Sequence, residues 1–396
     1  MTHTKTYYII WMLMAFFVLS CTEPFNLKSI DFEDALVIEA IITDEVKHQE
    51  IKLSRAFSLE EFTPSKESNA QVMITDDNQN TFEFEETDAG IYTSKTAFGA
   101  SPNRDYTLTV ITNNGKTYKS QPAQLPNISP INNLYASREV NEDTGNENMT
   151  IFVDGFDPLA NTKYFRYEYE ETYKIIAPAF KDPECAFGVF TDPPRPPTAH
   201  ELEQCAEARK REVCYNTIAS DSIIQLRTDN LSQGNSSAFP VHVISRDDAK
   251  IRTRYSILVK QYTQSLEAFT FYNILTKFSN SESLLSQNQP GFFSGNLFSV
   301  NDSKEKVIGY FDISSFSSKR IFFNFSDFFP NEPLPPFFGD CTPFEIPDPN
   351  VLKSLLEAEL IVEFSHAPGV PVLWIEIQCW DCRKLGTSIK PEFWID

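Results

Sequence analysis

Glycine and histidine are scarce, with 13 Gly and five His among 396 residues. So little glycine leaves no material for collagen-like repeats, and no phosphate-cradling Gly loop is present. The five His (His3, His48, His200, His242 and His366) never form a His-Glu-x-x-His pair, and no Gly-x-Ser-x-Gly elbow occurs. Hydrolase and nucleotide chemistry thus lose their usual residues. Positive charge is also short: 34 Lys and Arg stand against 55 Asp and Glu, a net charge of −21. A field of that sign repels phosphate backbones and anionic headgroups, so no nucleic-acid partner is expected. Aromatics, by contrast, are plentiful, with 34 Phe and 15 Tyr. Such a chain buries too much apolar surface to be disordered, and its length calls for two or three domains.

Lys5 precedes thirteen apolar or aromatic residues, from Tyr7 to Leu19. That run falls short of the roughly 20 residues that span a bilayer and matches a signal-peptide core. No later run is long enough to span. Val18-Leu19-Ser20-Cys21 follows, with Leu two residues before a small residue and Cys directly after it. This resembles the lipobox of bacterial lipoproteins, which implies removal of residues 1–20, lipidation of Cys21 and attachment to a membrane through the N-terminal lipid. Residues 21–35 read as an acidic tether, with Glu23, Asp31, Glu33 and Asp34 around Pro24. Acidic residues so close to a lipidated Cys resemble the signal that sends Bacteroidetes-type lipoproteins to the outer face of the outer membrane.

Residues 36–125 contain short runs of β-branched and aromatic residues separated by turn signals. Strands are expected at 36–42, 50–53, 71–74, 81–84, 90–92 and 106–111. The spacing predicts an immunoglobulin-like β-sandwich that folds independently. Asn114-Gly115 predicts a type I′ hairpin turn. Asp76, Asp77, Asn78 and Asn80 suit a plain turn better than a cation loop, because the Gly and terminal Glu of an EF-hand are missing. Pro122, Pro126 and Pro130 mark a linker.

Residues 126–396 read as a larger β-rich domain with a few helices. Strands are expected at 164–170, 256–259, 307–311, 320–323 and 373–376, and a helix within 201–211 before a strand at Cys214. A second helix begins after Ser265 as N-cap, with Leu266, Phe269, Tyr272, Leu275 and Phe278 at helical spacing, and a third lies within 351–360. Two excursions rich in Pro and Phe, 178–197 and 328–349, interrupt this pattern. They carry Phe187, Phe190, Phe328, Phe329, Phe337 and Phe338, which are the candidate partner contacts, since ring-bearing loops either fold back or form an interface.

Six cysteines remain besides Cys21: Cys185, Cys205, Cys214, Cys341, Cys379 and Cys382. Export to an oxidising compartment makes them disulfide candidates. Three lie before residue 220 and three after 340, so complete pairing needs at least one long-range bridge. Cys379-x-x-Cys382 lacks both a thioredoxin-like context and a second such pair, so no metal or cofactor is expected. Carboxylate pairs of the glycosidase type assemble in space and leave no spacing to read; the expectation is a protein without catalytic activity.

Tyr255 to Tyr262, then Gly295-Asn296, Val307-Ile308-Gly309-Tyr310-Phe311, Lys319 to Phe322, Cys379-Trp380-Asp381-Cys382 and Lys390-Pro391-Glu392-Phe393-Trp394 follow in a telling order. Together with Val37 to Ala40 and Gly90-Ile91-Tyr92, that order resembles a family of uncharacterised Bacteroidetes outer-membrane lipoproteins, a domain of unknown function. Genes of the family commonly lie beside TonB-dependent receptors. The resemblance therefore implies a surface-exposed accessory binding subunit of such a receptor, acting in nutrient capture or import. The competing expectation is a structural or assembly subunit of an outer-membrane protein biogenesis or secretion complex.

Overall fold

The computed structural model describes residues 35–56, 65–156, 162–180, 198–228, 235–279, 295–365 and 369–396. Eight strands come first: β1 (Leu36–Thr43), β2 (Glu50–Arg55), β3 (Gln71–Asp76), β4 (Thr81–Asp88), β5 (Ile91–Ser94), β6 (Asp105–Ile111), β7 (Thr117–Ser120) and β8 (Ala123–Gln124). Alternation decides which face each buries, because successive side chains point to opposite sides of a strand. Leu36, Ile38, Ala40 and Ile42 of β1, Ile51 and Leu53 of β2, and Tyr106, Leu108 and Val110 of β6 all enter one core.

The hairpin between β6 and β7 forms as expected, but with a different turn. The Gly115 N–H donates to Thr112 O (2.8 Å) and Thr112 N–H to Lys116 O (2.9 Å). Gly115 has φ +82°, while Asn114 is not among the residues with positive φ. Three residues, 113–115, therefore close the loop with a single left-handed position at Gly115, the geometry of the three-residue hairpin rather than the two-residue I′ turn. Asp76 serves as turn anchor, accepting from the Asn80 N–H and side-chain amide, both at 2.8 Å.

The chain then builds a second sandwich from β9 (Ile131–Val140), β10 (Glu147–Phe156), β11 (Tyr164–Ile176), α1 (Ala199–Arg209), β12 (Val213–Ala219), β13 (Ile224–Arg227), β14 (Asn235–Ser245), β15 (Arg254–Thr263) and α2 (Leu266–Ser279). After α2 it returns to the first sandwich. β16 (Leu297–Ser299) pairs antiparallel with β7, and β17 (Val307–Ser314) pairs in parallel with the whole of β1, Leu36 opposite Val307 through Thr43 opposite Ser314. The first sheet runs β16-β7-β6-β3-β4-β5-β2-β1-β17, with β8 on β6, and its two end strands lie against each other. The boundary expected at residue 125 is thus corrected. Val307, Phe311 and Ile313 belong to the first core, and residues 36–125 alone leave β1 paired with β2 on one side and without β17 on the other.

Glycines permit this return. Gly309 has φ +128°, and a Cβ there would stand 2.0 Å from Ile38 O; one at Gly295 would stand 1.8 Å from Gly309 O. Asn296 then seals the seam: its side-chain amide donates to Phe311 O and accepts from the Phe311 N–H, each at 2.8 Å.

β18 (Phe316–Asn324) completes the second sandwich, whose two sheets run β14-β10-β9 and β12-β11-β15-β18, with β13 on β11. Met149, Ile151 and Val153 from one sheet and Tyr167, Tyr255, Ile257 and Val259 from the other fill the space between them. A smaller C-terminal lobe holds α3 (Phe325–Phe328), α4 (Pro349–Glu357), the hairpin β19 (Ile361–Ser365) and β20 (Leu373–Glu376), and α5 (Ile377–Trp380). Disulfides Cys214–Cys382 and Cys341–Cys379 tie this lobe to β12 and to the second excursion, and Cys205 is disulfide-bonded as well. The Cys379-x-x-Cys382 pair is therefore split between two bridges. Among the described residues no helix is long and apolar enough to cross a membrane.

Candidate binding cleft

α2 starts where Ser265 caps it, its Oγ accepting the Ala268 N–H at 3.0 Å. The helix buries Ala268 and Tyr272 on one side. Its other side presents Leu266, Glu267, Thr270, Phe271 and Ile274 to a cleft whose far wall is β17 and β8. On β17, Phe311 and Ile313 enter the first core, so Tyr310 and Asp312, one residue out of phase, project from the opposite face of the strand. Tyr310 meets Phe271 with ring centroids 5.3 Å apart. Gln121, Gln124 and Asn296 complete the walls. The cleft encloses about 880 Å³, within the range of small-molecule sites.

Asp312 sits at the junction of both sandwiches, 2% exposed. Burial pushes its carboxyl above the usual range, and the field of Arg166 and the Ser314 hydroxyl, which donates to Oδ2 at 3.1 Å, offset this only in part. Arg166, on β11, is itself buried, with its guanidinium 4.7 Å from the Tyr262 ring and 4.9 Å from the Tyr272 ring. Its ion pair goes to Glu168, at 3.2 Å.

A second polar cluster lies inside the second sandwich. Glu171 accepts from Tyr255 Oη (2.8 Å) and Lys250 Nζ (2.6 Å), and His242 Nε2 lies 3.4 Å away. Burial would raise this carboxyl, but the three donors outweigh it and hold the pKa at about 2. Tyr255, Lys250 and His242 converge on the one carboxylate, so the cluster reads as a structural network.

The sequence-based contact candidates lie elsewhere. Cys21, Cys185, Phe187 and Phe190 fall outside the described residues. Phe329 is 1% exposed, stacked on Phe325 at 4.7 Å and covered by Arg138 at 4.5 Å, so its assignment as a partner contact is corrected. Phe328, Phe337 and Phe338 are partly buried against the same core, Phe328 edge-on to Phe323 and Phe338 stacked on Tyr173. The second excursion folds back because its rings gain more from a preformed apolar sheet face than from water. The cleft residues escaped sequence reasoning, although Gly295-Asn296 and Gly309-Tyr310-Phe311, quoted above as motifs, mark its wall.

Fold and cleft together define a mainly β protein of two β-sandwich units with a small-molecule-sized cleft between the first unit and α2. The chain belongs to the family described as "Domain of unknown function (DUF4249)", which matches residues 22–320. No curated protein matches it. Among solved structures, trypsin-activated alpha-2-macroglobulin from Escherichia coli is 9% identical, with a TM-score of 0.17 over 60% of this chain and 15% of that one. The chicken CNTN1 FN1–FN3 domains are 10% identical, with a TM-score of 0.17 over 58% and 63%. A two-domain fibronectin type III segment of chicken tenascin is 10% identical, with a TM-score of 0.13 over 57% and 90%. The chain thus spans less than two thirds of either of the first two, and similarities this low say nothing of function.

Proposed function

We propose that this protein is a surface-exposed outer-membrane lipoprotein, anchored through Cys21, that serves a TonB-dependent receptor as an accessory binding subunit in nutrient capture or import. The observation that carries the reading is Val18-Leu19-Ser20-Cys21 behind an apolar core of signal-peptide length, followed by an acidic tether. The family resemblance supports the receptor partner, and a cleft of about 880 Å³ supports capture of a small molecule. The second reading, a structural or assembly subunit, draws support from α4, which buries none of its residues and exposes Val351 and Leu356.

Cys21→Ala is expected to release the protein from the membrane fraction; unchanged association would refute the lipid anchor. Proteinase added to intact cells degrades an outward-facing protein and spares a periplasmic one. Purification from the native membrane in mild detergent then separates the two functional readings. A stoichiometric receptor barrel supports the first, and a barrel-assembly or secretion complex supports the second.

A further inference from the structure

We propose that the cleft between β17 and α2 binds an organic ammonium ion, a primary amine carried on an apolar body. Among the described residues its lining contains two acidic residues, Asp312 and Glu267, and no Lys, Arg or His. Asp312 is buried at the wall, where its carboxyl accepts hydrogen bonds from Ser314, Gln264 and the Ile313 N–H, all uncharged donors, while the cation whose field reaches it, Arg166, makes its ion pair with Glu168. A buried carboxylate without a contact cation is costly, and a ligand that brings one recovers that cost through a charge-assisted hydrogen bond. The rest of the cleft suits the body of such a ligand. Phe271 and Tyr310 offer ring surface that attracts a cation and covers apolar groups, while Leu266, half exposed, and Ile274 line the helix side.

Charge selects against the alternatives. An anion would meet two carboxylates inside a chain of net charge −21, whose field also concentrates cations at the surface. A neutral alcohol of the same shape could hydrogen-bond to the amides of Gln121 and Gln124 but would leave Asp312 without a counter-charge. The inference deepens the capture reading above and rests on it, by naming what is captured.

The test is isothermal titration of the full chain at neutral pH with 2-phenylethylammonium. The shape-matched neutral and anionic probes are 2-phenylethanol and 3-phenylpropanoate. The amine is expected to bind at least about tenfold more tightly than the alcohol, a difference of about 1.4 kcal/mol, and the carboxylate to give no binding. Asp312→Asn should abolish the preference for the amine. Because Asp312 is buried and its replacement can disturb the sheet, two exposed positions on α2 carry the test independently. Glu267→Gln should weaken the amine severalfold, and Thr270→Trp, which fills the cleft, should eliminate binding; the thermal midpoint should stay unchanged in both. Equal affinity for amine and alcohol, no amine binding at millimolar concentration, or binding indifferent to both α2 variants overturns the proposal. If the amine fails to bind while the receptor still co-purifies, only the ligand class falls. If the amine binds and no receptor co-purifies, the receptor reading falls instead.

Discussion

Phe329→Ala is expected to cut deeply into stability. The ring is 1% exposed and stacks on Phe325 with centroids 4.7 Å apart. Arg138 covers it at 4.5 Å and Arg246 at 5.7 Å, and both arginines are held by Glu147 and Glu332. Truncating a fully buried Phe costs about 3–5 kcal/mol in lost transfer energy and residual cavity. The two partly exposed arginines add at most about 1 kcal/mol each through lost cation–π attraction. For a cooperative unit of roughly 150–250 residues, the core term alone lowers the thermal midpoint by roughly 6–20 °C. Urea titration followed by tryptophan fluorescence and by far-ultraviolet circular dichroism measures the effect, with an unchanged m-value expected, since the exposed surface on unfolding stays nearly the same. Phe328→Ala, at a half-buried ring edge-on to Phe323, should cost distinctly less. A loss below about 0.5 kcal/mol at Phe329, the range of ordinary surface substitutions, would refute the folded-back excursion and restore this ring as a candidate contact surface.

Gly309→Ala should abolish folding or cost more than about 4 kcal/mol, because the new Cβ would overlap Ile38 O at a φ of +128°; a stable variant by thermal melt would contradict the β1–β17 pairing. Residues 36–125 expressed alone should show no cooperative melt, whereas adding residues 295–314 through a linker should restore one; a sharp transition in the short fragment would refute the shared sandwich. Replacing both Cys214 and Cys382 by Ala should cost about 5 kcal/mol on the loop-entropy model for a bridge spanning 168 residues, read by urea titration, and a negligible change would show that the bridge constrains little. Glu171, held near pKa 2 instead of 4.5, stabilises the fold above pH 4.5 by about 3 kcal/mol, and that contribution disappears as pH falls from 4.5 toward 2. Asp312, shifted upward, works in the opposite sense, so Glu171→Gln should flatten the acid limb of the stability curve; an unaltered limb would refute the network.

Local signals in this chain are strong wherever a strand has one wet face and one buried face. The alternation of Leu36, Ile38, Ala40 and Ile42, the cap at Ser265 and the turn residue Gly115 each act over a few residues, so β1, α2 and the hairpin were legible before any fold was known. The cysteine distribution likewise required a long-range bridge, which Cys214–Cys382 supplies. Three features were decided only by tertiary structure. Parallel pairing of β1 with β17 joins residues about 270 positions apart and carries no turn signature, so the sequence boundary at residue 125 cut through a shared sheet. Burial of Phe329 depends on two arginines and on an apolar sheet face that its own segment cannot reveal. The cleft combines β8, β17 and α2, whose residues converge only because Gly309 and Gly295 let two backbones touch. Asp312 could be read in sequence as one acid among 55; its burial beside a small-molecule-sized space is a property of distance, and distance is set by packing.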